Sequence, residues 1–503
     1  MISAFSNVFK IPELRKRILF VLAMLVIVRI GAAITTPGVN AGVLRAWFEQ
    51  EMNQQAGGSV AALFNLFSGG ALENCAIFSL TIMPYITASI ILQLLTAVVP
   101  QLGRLAREDG GRQKITQYTR YATVALCIFQ GYLLALSFES PRSNPFLPGI
   151  EDTINRLGIP LVSEPGFGFR LLTVVSLTAG SMFLMWIGDQ ITERGIGNGI
   201  SLIITIGIVA RLPAALIQAW KTFVPSVGAG ATDTVSPIVL VFMIAFLFFV
   251  IAAVIAVTQA TRKIPVQYAK RVVGRKVYGG QTQFMPLKVN YAGVMPIIFA
   301  QAILMFPATI TQMAFPTSAT AQKIAAALQS GWPHYAIYGA MIFFFSYFWV
   351  ATQFQPAQIA DDLKKYGGYV PGVRPGKPTA DFLDFTMTRL TFAGAIFLTV
   401  IAVMPEMLSQ GLKIPYITAQ FFGGTSLLIM VGVVLDTMRQ VETHLLQRHY
   451  DGFLRKGRLR ARFDRTPGQR SDTVRSEVLL WLWVGIALLA ILGMIVFLVG
   501  RTH

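Results

Sequence analysis

The side chains best equipped for chemistry are few and scattered. The four histidines, His334, His444, His449 and His503, lie outside the core apolar runs. No His-Glu-x-x-His pattern sets two of them and a carboxylate on one helix face for a catalytic zinc. No Ser-His-Asp arrangement is suggested either. The stretch from Gly372 to Thr379 resembles a phosphate-cradling loop. However, three residues rather than four separate Gly372 from Gly376, and Pro378 stands where a Ser or Thr would hold magnesium. It reads as a turn. The two cysteines, Cys75 and Cys127, sit in or beside apolar runs and read as inert buried thiols rather than as a disulfide or redox pair. The expectation is a protein that is not an enzyme, with no metal or cofactor, driven by a partner or a gradient.

A secondary solute transporter is the alternative that these residues leave open. Such proteins carry charges or broken helices near mid-membrane. Arg29, Asp189 and Asp436 lie within or at the ends of apolar runs, but they form no evident charge relay. Pro84, Pro296 and the glycines Gly195, Gly197 and Gly199 suggest irregular helices around a cavity. Ile82 and Ile86, and again Ile200 and Ile204, share a helix face at i, i+4 spacing. An apolar constriction built this way can gate by dewetting. On spacing alone, ordinary packing isoleucines remain the commoner explanation.

The elements that must position these residues are membrane spans. Of 503 residues, 54% are hydrophobic and 13% charged, where a soluble domain carries about 25% charged residues. Apolar runs long enough to cross a bilayer fall near 18–36, 74–97, 119–139, 169–191, 198–217, 237–259, 291–312, 335–354, 389–408, 421–438 and 478–500. The first run is full length and no small-residue cleavage pattern follows it, so a removable signal peptide is not expected. With the N-terminus inside, the inside segments hold most of the 42 Lys and Arg that give the net charge of +18. These basic residues lie between spans with no nucleic-acid-binding motif beside them.

Three connectors stand out. In 260–290, the alternation around Ile264–Tyr268 and Lys276–Tyr278 predicts a basic β-hairpin or two short strands. In 355–388, paired Gly and Pro-Gly steps predict a turn-rich protrusion. Both project into the cytoplasm and suit partner docking better than a plain solvated connector. The outside stretch 57–72 is apolar, flanked by glycine pairs and too short to span, and so predicts a re-entrant or interfacial helix beside a cavity.

Five segments are then familiar together: FNLFSGGALENCAIFSLTIMPYITASIILQLL (64–95), FLMWIGDQITERGIGNGISLII (183–204), PLKVNYAGVMPIIFA (286–300), YGGYVPGVRPGKPTADFLDFTMTRLT (366–391) and FFGGTSLLIMVGVVLDTM (421–438). They resemble the bacterial SecY family, the channel subunits of the Sec protein translocase, from about residue 10 to about 450. The resemblance implies an all-α polytopic fold of ten spans in two inverted-topology halves, here 1–217 and 218–438. It implies a protein-conducting channel that moves unfolded secretory chains across the cytoplasmic membrane and releases transmembrane segments laterally into it. The family's pore ring maps onto Ile82, Ile86, Ile200, Ile204, Ile298 and Ile429. All six positions hold isoleucine, which reverses the packing explanation above. The plug maps onto 57–72, including Phe64, Asn65, Phe67, Ser68, Gly69 and Gly70. The lateral gate opens between the second and third spans and the seventh and eighth, with Gln93 on the second. Docking positions are Lys270, Arg271, Arg275 and Lys276 in the first loop and Arg374 in the second, where a guanidinium suits acidic surfaces or RNA phosphate. Implied partners are SecE and SecG subunits, the SecA motor, the ribosome, signal peptides with their nascent chains, and anionic lipids, with SecDF and YidC as further candidates.

Residues 439–503 depart from the family. A basic tail from Arg455 to Arg475 leads into an eleventh apolar run at 478–500. This run is expected to insert as a peripheral span and place the C-terminus outside, or to augment a small accessory subunit.

Overall fold

A computed structural model describes residues 11–53, 61–140, 146–223, 237–314, 318–412 and 425–455, apart from a few short breaks within these ranges. The eleventh apolar run and Phe67 lie outside the described residues. Ten helices overlap the other ten apolar runs, and among the described residues five of them are long and apolar enough to cross a membrane. The ten are α1 (Pro12–Gly31), α3 (Met83–Val98), α5 (Gly111–Glu139), α7 (Phe167–Arg194), α8 (Gly199–Phe223), α9 (Pro237–Gln259), α10 (Met295–Ala314), α12 (Gly331–Gln353), α14 (Lys377–Leu412) and α15 (Thr425–Arg455). Shorter helices are α2 (Ala41–Asn53), α4 (Pro100–Leu105), α6 (Ile150–Leu157), α11 (Ala319–Gln329) and α13 (Pro356–Lys365).

The long helices are apolar nearly all round, the pattern of a helix with no aqueous face. On α7, Thr173, Leu177, Gly180, Leu184, Ile187 and Ile191 recur at three- and four-residue steps and are buried. The opposite side of the same helix exposes Leu171, Leu172, Val175 and Trp186. α1 likewise exposes Leu22, Val26 and Ile30, and α9 exposes Phe248. Water would penalise such a surface and lipid would not. The chain is a multi-pass membrane protein.

The second span is shorter than its composition suggests. Residues 71–82 form turns, and helix begins only at Met83. Cys75 and Thr81 adopt left-handed backbone (φ 46° and 56°), which no regular helix allows. Residues 75–77 instead pair with the end of α1: Thr36 N–H donates to the Cys75 carbonyl at 2.7 Å and Ile77 N–H to the Ile34 carbonyl at 3.0 Å. Pro84 and Pro296 do not break helices. Each falls in the first turn of its helix, α3 and α10, where a missing N–H costs nothing. Pro213 and Pro307 lie inside helices, in α8 and α10.

Packing follows two groups. α1, α3, α5, α7 and α8 contact one another in sequence neighbours and through α1 against α7; α10, α12, α14, α15 and α9 do the same. The groups meet along two seams, with α10 against α3 and α5 on one side and α8 against α9 and α15 on the other. At one end, α2 and α6 form a cap in which Trp47 is buried and donates Nε1–H to the Pro148 carbonyl at 2.9 Å.

At the other end the predicted hairpin is longer than its sequence signal. β1 (Thr261–Tyr268) pairs antiparallel with β4 (Thr282–Lys288), from Thr261 opposite Lys288 to Gln267 opposite Thr282, while β2 (Arg271–Val273) pairs with β3 (Lys276–Tyr278). Ile264 and Val266 alternate inward, as a half-buried strand requires. The loop at 355–388 opens with helix α13 before its turns. It then contributes β5 (Gly368–Tyr369), which pairs with β1 at Gln267 and Tyr268. Tyr369 Oη donates to Gln267 Oε1 at 3.0 Å. The two long loops, separate in sequence, thus share a three-stranded sheet ordered β4-β1-β5, with β2 and β3 paired apart from it.

Candidate functional site

Five of the six candidate ring residues converge. Ile82 ends the turn segment before α3, and its carbonyl accepts the Ile86 N–H at 3.1 Å, one turn on. Ile204 comes from α8, Ile298 from α10 and Ile429 from α15. All five line one cavity enclosed by helices of both groups. Each is buried, between 1% and 7% exposed. Leu184, Ile203 and Phe78 extend the apolar lining, and Arg29, Ser68, Thr81 and Gln301 supply its polar points. Ile200 is not part of that lining. It is half-buried one turn before Ile204, facing the Gly188 position of α7. The i, i+4 pattern on α8 therefore brings only one of its two isoleucines to the neck.

Among the described residues of the candidate plug, Ser68 lines the same cavity. Asn65 is 4% exposed. Ser68 Oγ donates to the Asn65 carbonyl at 3.0 Å and accepts the Leu72 N–H at 3.3 Å, which closes a tight turn. Gly69 and Gly70 follow in left-handed backbone (φ 63° and 91°). A Cβ on Gly69 would lie 2.6 Å from the Gly207 Cα of α8, so backbone meets backbone there. Phe64 lines a second cavity, between α3 (Met83, Thr87), α5 (Gln130, Leu133, Leu134) and α10 (Ala302, Met305, Phe306, Ile310). This apolar hollow sits on the seam where α10 meets α3 and α5. Gln93 is not in it. Gln93 is half-buried further along α3, and its Nε2 donates to Ser89 Oγ at 3.2 Å.

Of the docking candidates, Lys270 and Arg275 lie outside the described residues. Arg271 and Lys276 fall in the short strands β2 and β3. Arg374 is exposed in the turn before α14, and its carbonyl accepts from Thr379 Oγ1 at 2.8 Å. Gly372 and Gly376 around it are left-handed (φ 83° and 101°), so the stretch is a turn, as its spacing suggests. Both cysteines are free and buried.

Spacing alone leaves other residues unassigned. Glu73, just before the second span, forms an ion pair with Arg211 in α8. Arg29 Nη1 donates to the Gly69 carbonyl at 3.0 Å. Isolated charges in apolar runs are the visible signal for Arg29 and Arg211; which groups they meet is not.

Comparison with known proteins places this geometry. A SecY family model matches residues 76–438. The chain is similar to the protein translocase subunit SecY of Escherichia coli K12, 44% identical over 452 residues that cover 89% of this chain and 95% of that one. It is 42% identical to that of Thermotoga maritima over 466 residues, covering 92% and 100%. Among solved structures, one described as "The structure of a protein conducting channel" superposes with a TM-score of 0.58 at 18% identity, covering 86% of this chain and 93% of the other. "Sec61 in the Canine ribosome-channel complex from the endoplasmic reticulum" gives 0.55 at 17%, covering 86% and 93%; both likenesses speak to fold. The chain belongs to the SecY family.

Proposed function

We propose that this chain is the conducting subunit of a protein translocase, passing unfolded secretory polypeptides across the cytoplasmic membrane and releasing apolar segments sideways into it. One observation carries this reading: Ile82, Ile86, Ile204, Ile298 and Ile429, from four parts of the chain, surround one central cavity that Ser68 also lines. A narrow apolar neck excludes ions by dewetting. Isoleucine offers no hydrogen bond, so a polar backbone passes without being held. Residues 57–72 act as the plug, and Ile200 borders the ring rather than lining it.

The cavity among α3, α5 and α10 suits the lateral exit, since its lining would favour an apolar helix leaving toward lipid. Gln93 marks the inner end of that seam. The sheet shared by the two loops, the short β2–β3 pair with Arg271 and Lys276, the turn with Arg374, and Lys270 and Arg275 of the same first loop face the cytoplasm and dock the SecA motor and the ribosome. SecE and SecG complete the complex, with SecDF, YidC and anionic lipids around it. Residues 1–217 and 218–438 are the two halves that open along the seam. The N-terminus is cytoplasmic. Residues 478–500 add a peripheral span that places the C-terminus outside, which a C-terminal tag in spheroplasts tests by its accessibility to external reagent.

Among the described residues the charges at Arg120 and Asp189 pair with each other, which does not favour a relay for solute transport. The test is reconstitution of the chain with SecE, SecG and SecA in proteoliposomes. ATP-dependent protection of a secretory precursor from protease is expected, and its absence with an assembled complex would overturn the reading.

A further inference from the structure

Three arginines reach the segment between Asn65 and Asn74 from three separate elements. Arg29 on α1 donates to the Gly69 carbonyl at 3.0 Å. Arg45 on α2 donates from Nε to Asn74 Oδ1 at 2.7 Å. Arg211 on α8 pairs with Glu73, whose same carboxylate oxygen accepts Asn65 Nδ2 at 3.1 Å. The Glu73 N–H donates back to Asn65 Oδ1 at 3.1 Å. The central pair is largely withdrawn from water, with side chains 14% and 21% exposed for Arg211 and Glu73.

The glycine pair makes this convergence possible. A Cβ on Gly69 would meet Arg29 Nη1 at 2.8 Å as well as the Gly207 backbone, and one on Gly70 would meet Arg211 Nη2 at 2.9 Å. Beyond Asn74 the restraint changes in kind. Residues 75–77 are fixed by backbone hydrogen bonds to Thr36 and Ile34. The arginines thus tie 69–74 to other helices, while backbone bonds join 70–72 to 74–76 and 75–77 to residues 34–36.

We propose that Arg29, Arg45 and Arg211 form a latch that holds the plug shut, with residues 75–77 as the fixed anchor about which it swings. They are positioning residues for gating, and the proposal rests on reading 57–72 as the plug. Each contact is a charge-assisted hydrogen bond made by a side chain from another helix. Away from water, losing the donor leaves the Gly69 carbonyl without this bond or the Glu73 carboxylate without its countercharge, so the closed state loses more than one ordinary hydrogen bond. The ranking follows from burial and charge. Arg211 contributes most, Arg29 next, and Arg45, whose bond is exposed, least.

The experiment reads the open fraction of the resting assembled complex in planar bilayers, normalised to complex abundance. Arg211→Gln is expected to raise it about 10-fold or more, Arg29→Gln less, and Arg45→Gln barely. Arg29→Lys should stay near wild type. Glu73→Arg alone should leak, and combining it with Arg211→Glu should restore closure, which a merely structural role would not do. Deletion of residues 61–68 serves as the reference. If the deletion leaks while Arg211→Gln and Arg29→Gln remain at the wild-type open fraction, the latch is wrong and the plug stands. If the deletion is also silent, the plug reading itself falls, and the latch with it.

Discussion

Replacing Ile298 by asparagine asks whether the neck is sealed by dryness. Ile298 is 7% exposed and lines the central cavity beside Ile82, Ile86, Ile204 and Ile429. A buried isoleucine favours a dry surrounding by about 1.5–3 kcal/mol. An amide placed there without a partner costs about 1–3 kcal/mol, and water entering the neck relieves that cost. Together the two effects shift the balance from dry to wet by about 3 kcal/mol, or roughly 100-fold. Ile200→Asn is the internal comparison, because Ile200 is half-buried off the lining. Resting conductance of the reconstituted complex should rise steeply for Ile298→Asn and at most a few-fold for Ile200→Asn. Equal conductance for Ile298→Asn and wild type, at equal complex abundance, would refute a hydrophobic seal. Equal leaks from both variants would refute the assignment of the lining.

Other predictions concern the scaffold and its faces. Gly180→Val on α7 should lower the melting temperature of the purified complex, since a Cβ there would sit 2.0 Å from the Ile77 carbonyl oxygen; overpacking of this kind costs about 1–3 kcal/mol, and an unchanged melting curve would argue against that contact. Cys75 and Cys127, both buried, should resist maleimide in resting membranes, and rapid labelling would show that the packing around them is open. Arg374→Ala, in an exposed turn, should leave the melting temperature unchanged while lowering motor-driven precursor translocation at least several-fold; unimpaired translocation would remove it from the docking surface.

The spans were legible because a bilayer imposes a length and an apolarity that little else produces. The exception, residues 71–82, is instructive. ALENCAIFSLTI is apolar enough to read on into the second span, and no proline interrupts it before Pro84. Its turns are set by long-range pairing of Cys75 and Ile77 with the end of α1, which local propensity does not encode. The strands β1 and β3 showed in alternation, whereas β5 is two residues long and its partner lies about a hundred residues earlier. Isoleucine spacing on α8 was visible, but helical period alone cannot separate a neck residue from one packed a turn away against α7. The resemblance to SecY implied the ring; five of its six positions line the central cavity.

The most direct test of a conducting channel is contact between substrate and neck. A secretory chain stalled in transit should crosslink to a cysteine placed at position 298 or 82, both lining the central cavity. A cysteine at position 171, on the exposed apolar side of α7, should not react with it. Crosslinks at 171 in place of 298 and 82, or none at the neck with a chain verifiably stalled, would contradict a path through the centre of the bundle.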